Sequence, residues 1–172
     1  MSLTTILAIY AAIVSSIGLG WNLYRELYDR VRVKISVSLM RLSTGTDGRQ
    51  FAVAPHLPAE NANADVHVVV KMTNVGRRPV LLQGWGGEWK IPEQGKDKFV
   101  VISQGLPRML KGHESHQEFT PDLSVVSPNI KALFVVDSFG KNWYVADREL
   151  REAGEQVRKL VSDTEGVAHN HG

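Results

Sequence analysis

The chain has 172 residues, of which 43% are hydrophobic, so it is long enough for one domain with a core and one further segment. Its 20 Lys and Arg residues and 18 Asp and Glu residues leave a formal net charge of +2, which is too weakly basic for a dedicated nucleic-acid-binding protein. Cysteine is absent, which excludes a disulfide framework and favours a reducing compartment.

The first predicted element is a membrane-spanning helix. Residues 3–24 include no charged side chain and are apolar on nearly every face. Roughly 20 residues, each rising about 1.5 Å, cross the roughly 30 Å hydrocarbon layer of a bilayer, so the segment is long enough. A cleaved signal peptide is one alternative, disfavoured by the neutral start and the bulky end of the segment. A buried helix of a soluble protein is the other alternative.

Basic residues follow this helix, and none precedes it. Lys and Arg beside a membrane helix stay on the cytoplasmic side, so the sequence predicts a single-pass protein of the inner (plasma) membrane with its N-terminus outside and its soluble domain in the cytoplasm. The same cations would attract anionic headgroups by about 1 kcal/mol each. The residues expected at the membrane surface are Trp21, Arg25, Arg30, Arg32 and Lys34.

Small residues recur at every fourth position along one side of the helix. Side chains at i and i+4 stack on one face, and small side chains let two membrane helices approach closely. We therefore expect helix association through this face, although small residues are also common in membrane helices generally. The residues are Ala8, Ala12, Ser16 and Gly20.

A strand-rich domain begins where the hydrophobic period changes. In residues 31–39 apolar and polar side chains alternate, which predicts a half-buried strand, and residues 65–75 repeat the pattern. Many short strands separated by turn residues predict an antiparallel sandwich or barrel. The further predicted strands are 80–83, 88–91, 99–103, 109–111, 115–119, 130–137 and 143–145.

The remaining segments complete the predicted organisation. Residues 43–64 are rich in Gly, Pro and Asn, which predicts a long loop with a short strand near Phe51. A helix with an apolar stripe is predicted to start at Asp147 and to end before Gly166. The expected units are a transmembrane helix with a juxtamembrane segment (1–28), a β-sandwich domain (29–146), and a C-terminal helix with a disordered tail (147–172).

Several motifs make the chain similar to a known type of protein. They are Asn74-Val75-Gly76-Arg77-Arg78-Pro79-Val80, then Leu106-Pro107 with Leu110, Gly112, Glu114 and Ser115, and finally Asp137-Ser138-Phe139-Gly140-Lys141 with Trp143-Tyr144. With the N-terminal helix, these motifs make residues 10–144 resemble uncharacterised small bacterial single-pass membrane proteins with an immunoglobulin-like β-sandwich domain. The resemblance implies a mainly β fold: an N-terminal transmembrane helix, an antiparallel immunoglobulin-like β-sandwich and a short C-terminal helix. No activity is established for that group, so none is carried over.

The turn residues of these motifs also have a direct physical meaning. Gly76 would supply a backbone conformation that other residues resist, and Pro79, which lacks an N–H donor, suits the start of a strand. Asp137 and Gly140 suit a hairpin turn between the last two predicted strands.

Two features are candidate contacts for a partner. Arg77 and Arg78 are expected on a tight turn, where paired guanidinium groups could bind phosphate or carboxylate, or simply keep the turn soluble. Trp85 lies among glycines that would leave its ring accessible, and tryptophan is favoured at interaction hot spots. Packing in the core is the competing interpretation of Trp85.

The sequence predicts no enzyme. His113 and His116 would point to opposite faces of a strand, so no metal site is expected there. No Walker loop, Rossmann fingerprint, His-Glu-X-X-His or Gly-X-Ser-X-Gly motif occurs, and no cofactor is expected.

The predicted function is a membrane-anchored, non-catalytic binding or scaffold module that presents a cytoplasmic β-sandwich to a protein partner or to itself. Membrane lipid and a protein partner or homo-oligomer are the expected contacts, and no nucleic acid is expected. The alternative is a membrane-active effector, defence- or phage-related, whose helices assemble in the bilayer under control of the sandwich.

Overall fold

The computed structural model describes residues 2–28, 30–44, 50–54, 66–93 and 95–168. Over these residues the chain is mainly β, with two antiparallel sheets, an apolar N-terminal helix and a C-terminal helix. In chain order the elements are α1 (Leu3–Tyr28), β1 (Val33–Thr44), β2 (Gln50–Val53), β3 (Val66–Asn74), β4 (Val80–Glu93), β5 (Lys96–Val101), β6 (Arg108–Leu110), β7 (Ser115–Thr120), a 3-10 helix (Leu123–Val126), β8 (Ile130–Asp137), β9 (Asn142–Tyr144) and α2 (Asp147–Ala168).

The strands of the described ranges divide into two sheets. The first sheet has the order β2-β1-β3-β7, and the second has the order β5-β4-β8-β9, with β6 paired to the start of β4. Val33 pairs with Asn74 in the first sheet, and Leu82 pairs with Asp137 in the second. Since these neighbours are antiparallel, several connections meet at the end of the domain where α1 leads into β1. We call this end, formed by residues 30–33, 74–80, 111–115 and 137–142, the α1 end.

One face of each sheet contributes to a shared hydrophobic core. The period of two puts alternate apolar residues of each strand on the same side, and each such aliphatic side chain stabilises the fold by about 1.5–3 kcal/mol when fully buried. Leu150 and Ala153 of α2 also belong to this core, so the C-terminal helix packs on the sheets. The buried strand residues include Ile35, Val37, Leu39, Val68, Val70, Met72, Val80, Leu82, Trp85, Leu133 and Val135.

The prediction of separate strands at 80–83 and 88–91 is wrong, because β4 is continuous from Val80 to Glu93. The intervening glycines do not form a turn. They make room for β5: a Cβ atom on Gly86 would overlap the backbone carbonyl of Phe99, and one on Gly87 would lie 2.5 Å from the Phe99 ring. The pairing of β4 with β8 is irregular at two places, one of them between Leu82 and Gly84. These irregularities accommodate the glycines of β4 within the sheet.

The other predicted strands and the C-terminal helix are confirmed with shifted ends. The short strand near Phe51 is β2, whereas β1 extends to Thr44 and so occupies the start of the predicted loop. The remainder of that loop, residues 45–49 and 55–65, lies outside the described residues. The prediction that Gly166 follows the C-terminal helix is wrong, since α2 continues to Ala168. A glycine inside a helix costs only about 1 kcal/mol relative to alanine, which a longer helix tolerates. The predicted disordered tail, residues 169–172, also lies outside the described residues.

Candidate functional site

Among the described residues, one helix is long and apolar enough to cross a membrane. The stretch Leu3–Glu26 has 24 residues, and its most apolar 18-residue window has a mean hydropathy of 1.9. None of that window is buried against the rest of the chain. Trp21 and Tyr24 lie near its end with ring centroids 6.0 Å apart. The interpretation as a buried helix of a soluble domain is therefore not supported within this chain, because the described side chains of α1, those of residues 3–26, do not belong to the core described above.

The small-residue face of α1 is uncovered. Ala8, Ala12, Ser16 and Gly20 are all exposed, and a Cβ atom on Gly20 would meet no other heavy atom within 4 Å. The Ser16 hydroxyl donates a 2.8 Å hydrogen bond to the Ala12 carbonyl of the preceding turn, so its polarity is satisfied inside the helix. The face is thus smooth and accessible, and helix association through it stays a prediction.

The chain after α1 is bound to the β3–β4 loop. The backbone N–H groups of Val75 and Gly76 donate to the carbonyl of Arg32 at 2.8 and 3.2 Å. Gly76 does not have a positive φ, so the expectation that it supplies an unusual backbone conformation is wrong. Glycine is needed there because a side chain would not fit. A Cβ atom there would lie 2.7 Å from the backbone nitrogen of Arg32 and would overlap the carbonyl of Arg30.

Asn74 fixes the conformation of the same loop. Its side chain is fully buried, and Nδ2 donates to the carbonyls of Arg78 at 2.8 Å and Leu110 at 3.2 Å. Its Oδ1 accepts a 3.0 Å hydrogen bond from the backbone of Gly76. A buried amide with its partners satisfied holds the loop in one arrangement. The motif at 74–80 therefore orders the loop that carries the two arginines.

Arg77 and Arg78 are exposed on this ordered loop. Arg78 lines a surface groove together with Leu23, Glu26 and Arg30, so the structure brings it beside the last turns of α1. Sequence spacing alone does not predict this proximity. Of the other predicted membrane-surface residues, Arg25 is in the last turn of α1, Arg32 lies against the loop, and Lys34 is exposed on β1.

The prediction that Trp85 faces a partner is wrong, because its side chain is 1% exposed and packs in the core. The neighbouring glycines admit Phe99 of β5 and do not expose the indole ring. Trp89 is partly buried against the core and packs with Phe99 at a centroid distance of 5.0 Å.

The two histidines of the β6–β7 region do not meet. His113 lies in a turn with φ of 64°, whereas His116 is on β7 and contacts the Glu118 carboxylate at 2.5 Å. That half-buried pair covers Gly105, where a Cβ atom would lie 2.7 Å from the His116 Nε2 atom. Within the described ranges, no three His, Cys, Asp or Glu side chains are grouped so that they could hold a metal ion.

The β8–β9 hairpin is a feature whose importance the sequence does not reveal. Asp137 is buried and its Oδ1 accepts hydrogen bonds from the backbone of Phe139 at 2.9 Å and Lys141 at 3.0 Å, while its Oδ2 accepts one from Trp143 Nε1 at 2.9 Å. Gly140 has φ of 76°, as the predicted turn requires. The hairpin is therefore rigid, yet Phe139 at its tip is 91% exposed.

A separate charged cluster lies on the outer face of the second sheet. Glu88 is surrounded by Lys98 Nζ at 3.4 Å, Lys131 Nζ at 3.6 Å and the Tyr144 hydroxyl at 3.2 Å. Burial alone would raise the pKa of the Glu88 carboxyl, but the hydrogen bonds from Lys98 and Tyr144 and the charges of both lysines hold that pKa below its usual range. The cluster links β4, β5, β8 and β9, so we interpret it as a contact that stabilises the second sheet.

Comparison of the chain with protein-family models, with curated proteins and with solved structures gives no match. The resemblance to small bacterial membrane proteins therefore stays a prediction. What the chain does has to be inferred from its uncovered apolar helix and from the charged, ordered surface next to it.

Proposed function

We propose that the chain is a membrane-anchored, non-catalytic binding or scaffold module of the inner (plasma) membrane. One observation carries the proposal: α1 is an uncovered apolar helix of spanning length, while the β domain completes its core without it. A helix that is apolar all round and exposed in water is costly, and a bilayer removes that cost. The module presents its domain to a protein partner or to a second copy of itself.

The orientation in this proposal is N-terminus outside and domain in the cytoplasm. Arg25, Arg30 and Arg32 follow the apolar stretch closely. The opposing Glu26 carries little weight in this rule. Anchoring confines the domain to the membrane surface and so raises its effective concentration toward any partner held there.

The immunoglobulin-like character of the domain is also part of the proposal. In the first sheet β1-β3-β7 have the order of strands A-B-E of immunoglobulin-type sandwiches, and in the second β5-β4-β8-β9 have the order C′-C-F-G. Two strands depart from that pattern: β2 lies outside β1, and β6 pairs with β4. The 3-10 helix between β7 and β8 occupies the E–F connection. This correspondence supports membership of the group of bacterial proteins named above.

Fusion reporters test the membrane orientation. Alkaline phosphatase joined to the C-terminus should be inactive and green fluorescent protein joined there should be fluorescent, because the domain is in the cytoplasm. The opposite pattern would place the domain outside and contradict the proposal. Release of the chain from membranes by alkaline carbonate would show that α1 is not an anchor.

The second candidate function is a membrane-active effector whose α1 helices assemble in the bilayer. The uncovered small-residue face at Ala8, Ala12, Ser16 and Gly20 is the observation that favours it. Membrane potential during expression separates the two functions. A binding module leaves the potential unchanged, whereas an assembling effector depolarises the cells.

A further inference from the structure

Exposed cations gather at the α1 end of the domain. They come from the segment after α1, from the β3–β4 loop, from the turn before β7 and from the β8–β9 hairpin, which the strand register brings to the same end. The residues are Arg30, Arg32, Arg77, Arg78, Lys111 and Lys141.

The described carboxylates of this end are engaged by the domain. Asp137 is 3% exposed and accepts hydrogen bonds within its own hairpin. Glu114 accepts a 2.9 Å hydrogen bond from the Lys111 backbone, and its other oxygen lies 3.6 Å from the Arg108 guanidinium. Glu26 belongs to α1 and lines the groove beside Arg30 and Arg78. Among the described residues of the domain at this end, six exposed cations stand against the two carboxylates of Glu114 and Asp137, so the charge that these residues present outward is positive.

An exposed aromatic ring accompanies these cations. Phe139 is 91% exposed at the tip of its hairpin, although the hairpin itself is ordered by Asp137. The Ser138 backbone donates a 2.9 Å hydrogen bond to the Leu81 carbonyl, which places the tip beside the start of β4 and hence beside the β3–β4 loop. Aromatic rings with neighbouring Lys and Arg favour the headgroup boundary of a membrane.

The bilayer must lie close to this end if α1 spans it. Arg30 is the second residue after α1, which ends at Tyr28. Because an extended residue spans at most about 3.6 Å, two residues keep Arg30 close to the end of the helix. The β3–β4 loop is hydrogen bonded to Arg32, so it lies beside the segment that follows α1. The cationic residues are thus presented to the headgroups by a fixed scaffold.

We propose that the α1 end of the domain is a membrane-contact surface that binds anionic phospholipid headgroups through Arg77, Arg78 and Lys141, with Phe139 inserted at the headgroup boundary. The inference rests on the proposed function, because it requires α1 to be in the bilayer. It goes further by assigning which surface of the domain faces the lipid. The connections at the opposite end and the outer face of the second sheet are then directed to the cytoplasm, where a partner can reach them.

Site-specific fluorescence on the full-length chain tests the proposal. The chain has no cysteine, so Ser138→Cys labels the hairpin and leaves Phe139 intact, while Ser124→Cys labels the opposite end. Both serines are exposed, which makes the two variants a matched pair. Each labelled chain is reconstituted into vesicles of phosphatidylcholine alone or of phosphatidylcholine and phosphatidylglycerol in equal parts. A nitroxide on a fraction of the headgroups quenches a fluorophore that touches the surface.

We expect strong quenching at residue 138 in the anionic vesicles, weaker quenching there in neutral vesicles, and little at residue 124 in either. Arg77→Gln with Arg78→Gln should reduce quenching at residue 138, since each cation near an anionic surface changes partition about fivefold. Lys90→Gln with Arg158→Gln removes the same charge from exposed positions outside the α1 end and should leave it unchanged.

Equal quenching at residues 138 and 124, or quenching at residue 138 that ignores lipid charge, would overturn the proposal. An equal effect of the two double variants would show that net charge, and not this surface, matters. Failure of the proposed function is distinguishable, because a chain without a membrane anchor would be lost from the vesicles in an alkaline carbonate wash. A chain that stays with the vesicles but shows no quenching at residue 138 contradicts the contact surface alone.

Discussion

The side-chain amide of Asn74 and the backbone carbonyl of Leu110 share a 3.2 Å hydrogen bond although the two residues are 36 positions apart. The same amide donates a second hydrogen bond to the backbone carbonyl of Arg78, so one buried side chain connects β3, the β3–β4 loop and β6. The positions of Arg77 and Arg78 therefore depend on Asn74.

Replacing Asn74 by alanine should destabilise the domain by about 2–4 kcal/mol, because buried backbone groups lose their partners. Denaturant unfolding followed by tryptophan fluorescence measures this loss. Asn142→Ala is the control: its amide donates a long, 3.5 Å hydrogen bond to the Tyr144 hydroxyl at the surface, and its cost should stay below about 1 kcal/mol. Similar losses for both variants would contradict the importance of the Asn74 network.

Gly86→Ala should destabilise the domain by at least about 1–3 kcal/mol, because the new methyl group overlaps the Phe99 carbonyl and separates β4 from β5. Gly84→Ala is a close control on the same strand, since its Cβ atom would meet nothing within 4 Å. Thermal unfolding should show a lower midpoint for Gly86→Ala and little change for Gly84→Ala. A tolerated alanine at residue 86 would contradict the close approach of β5.

Glu88 should make the stability of the domain depend on pH in the acid range. Its pKa is lowered in the folded state, so its contribution is present above the ordinary glutamate pKa of about 4.3 and is lost as the pH falls through the lower folded value. Glu88→Gln should therefore be less stable than the parent chain at neutral pH, and the gap should close as the pH falls below about 4.

Urea midpoints measured across this range test the Glu88 prediction. Glu155→Gln, at an exposed position of α2, is the control and should change stability by less than about 0.5 kcal/mol. A gap between Glu88→Gln and the parent chain that does not vary with pH would mean that Lys98 and Lys131 do not act on a charged carboxylate.

Helix association should depend on the small face of α1. Ala12→Leu with Ser16→Leu adds bulk where two helices would meet and should weaken self-association in a membrane two-hybrid assay, while the more apolar helix inserts at least as well. Ser16 gives up only the hydrogen bond to Ala12 within its own helix, so the helix itself is preserved. Ile13→Leu with Ile17→Leu, on another face and nearly unchanged in volume, should have no effect. Equal signals for both pairs would mean that this face is ordinary membrane composition.

Local pattern predicts the parts of the fold that depend on local chemistry. Alternation in residues 31–39 and 65–75 predicts β1 and β3 because each has one face in the core, as 0% exposure at Val68 illustrates. Asp137 and Gly140 predict their hairpin because the turn needs a side-chain acceptor and a positive φ.

Long-range contacts decide the parts that the pattern does not predict. Glycine suits both a turn and the close approach of another strand. Only the position of Phe99, further along the chain, shows that Gly86 and Gly87 allow a close approach and do not form a turn. In the same way, the pairing of Leu82 with Asp137 brings Phe139 to the α1 end, which no local spacing predicts.

The burial of Leu150 and Ala153 in the same core as β1 has a consequence for biosynthesis. Synthesis proceeds from the N-terminus, so under the proposed anchoring α1 enters the membrane before the ribosome has released α2. Until α2 is released, the core that contains Ile35, Val37 and Leu39 stays incomplete. Under that proposal the domain completes its folding while tethered, and a chain whose α1 misses insertion exposes an apolar helix and an unfinished core together, the combination that chaperones and proteases recognise.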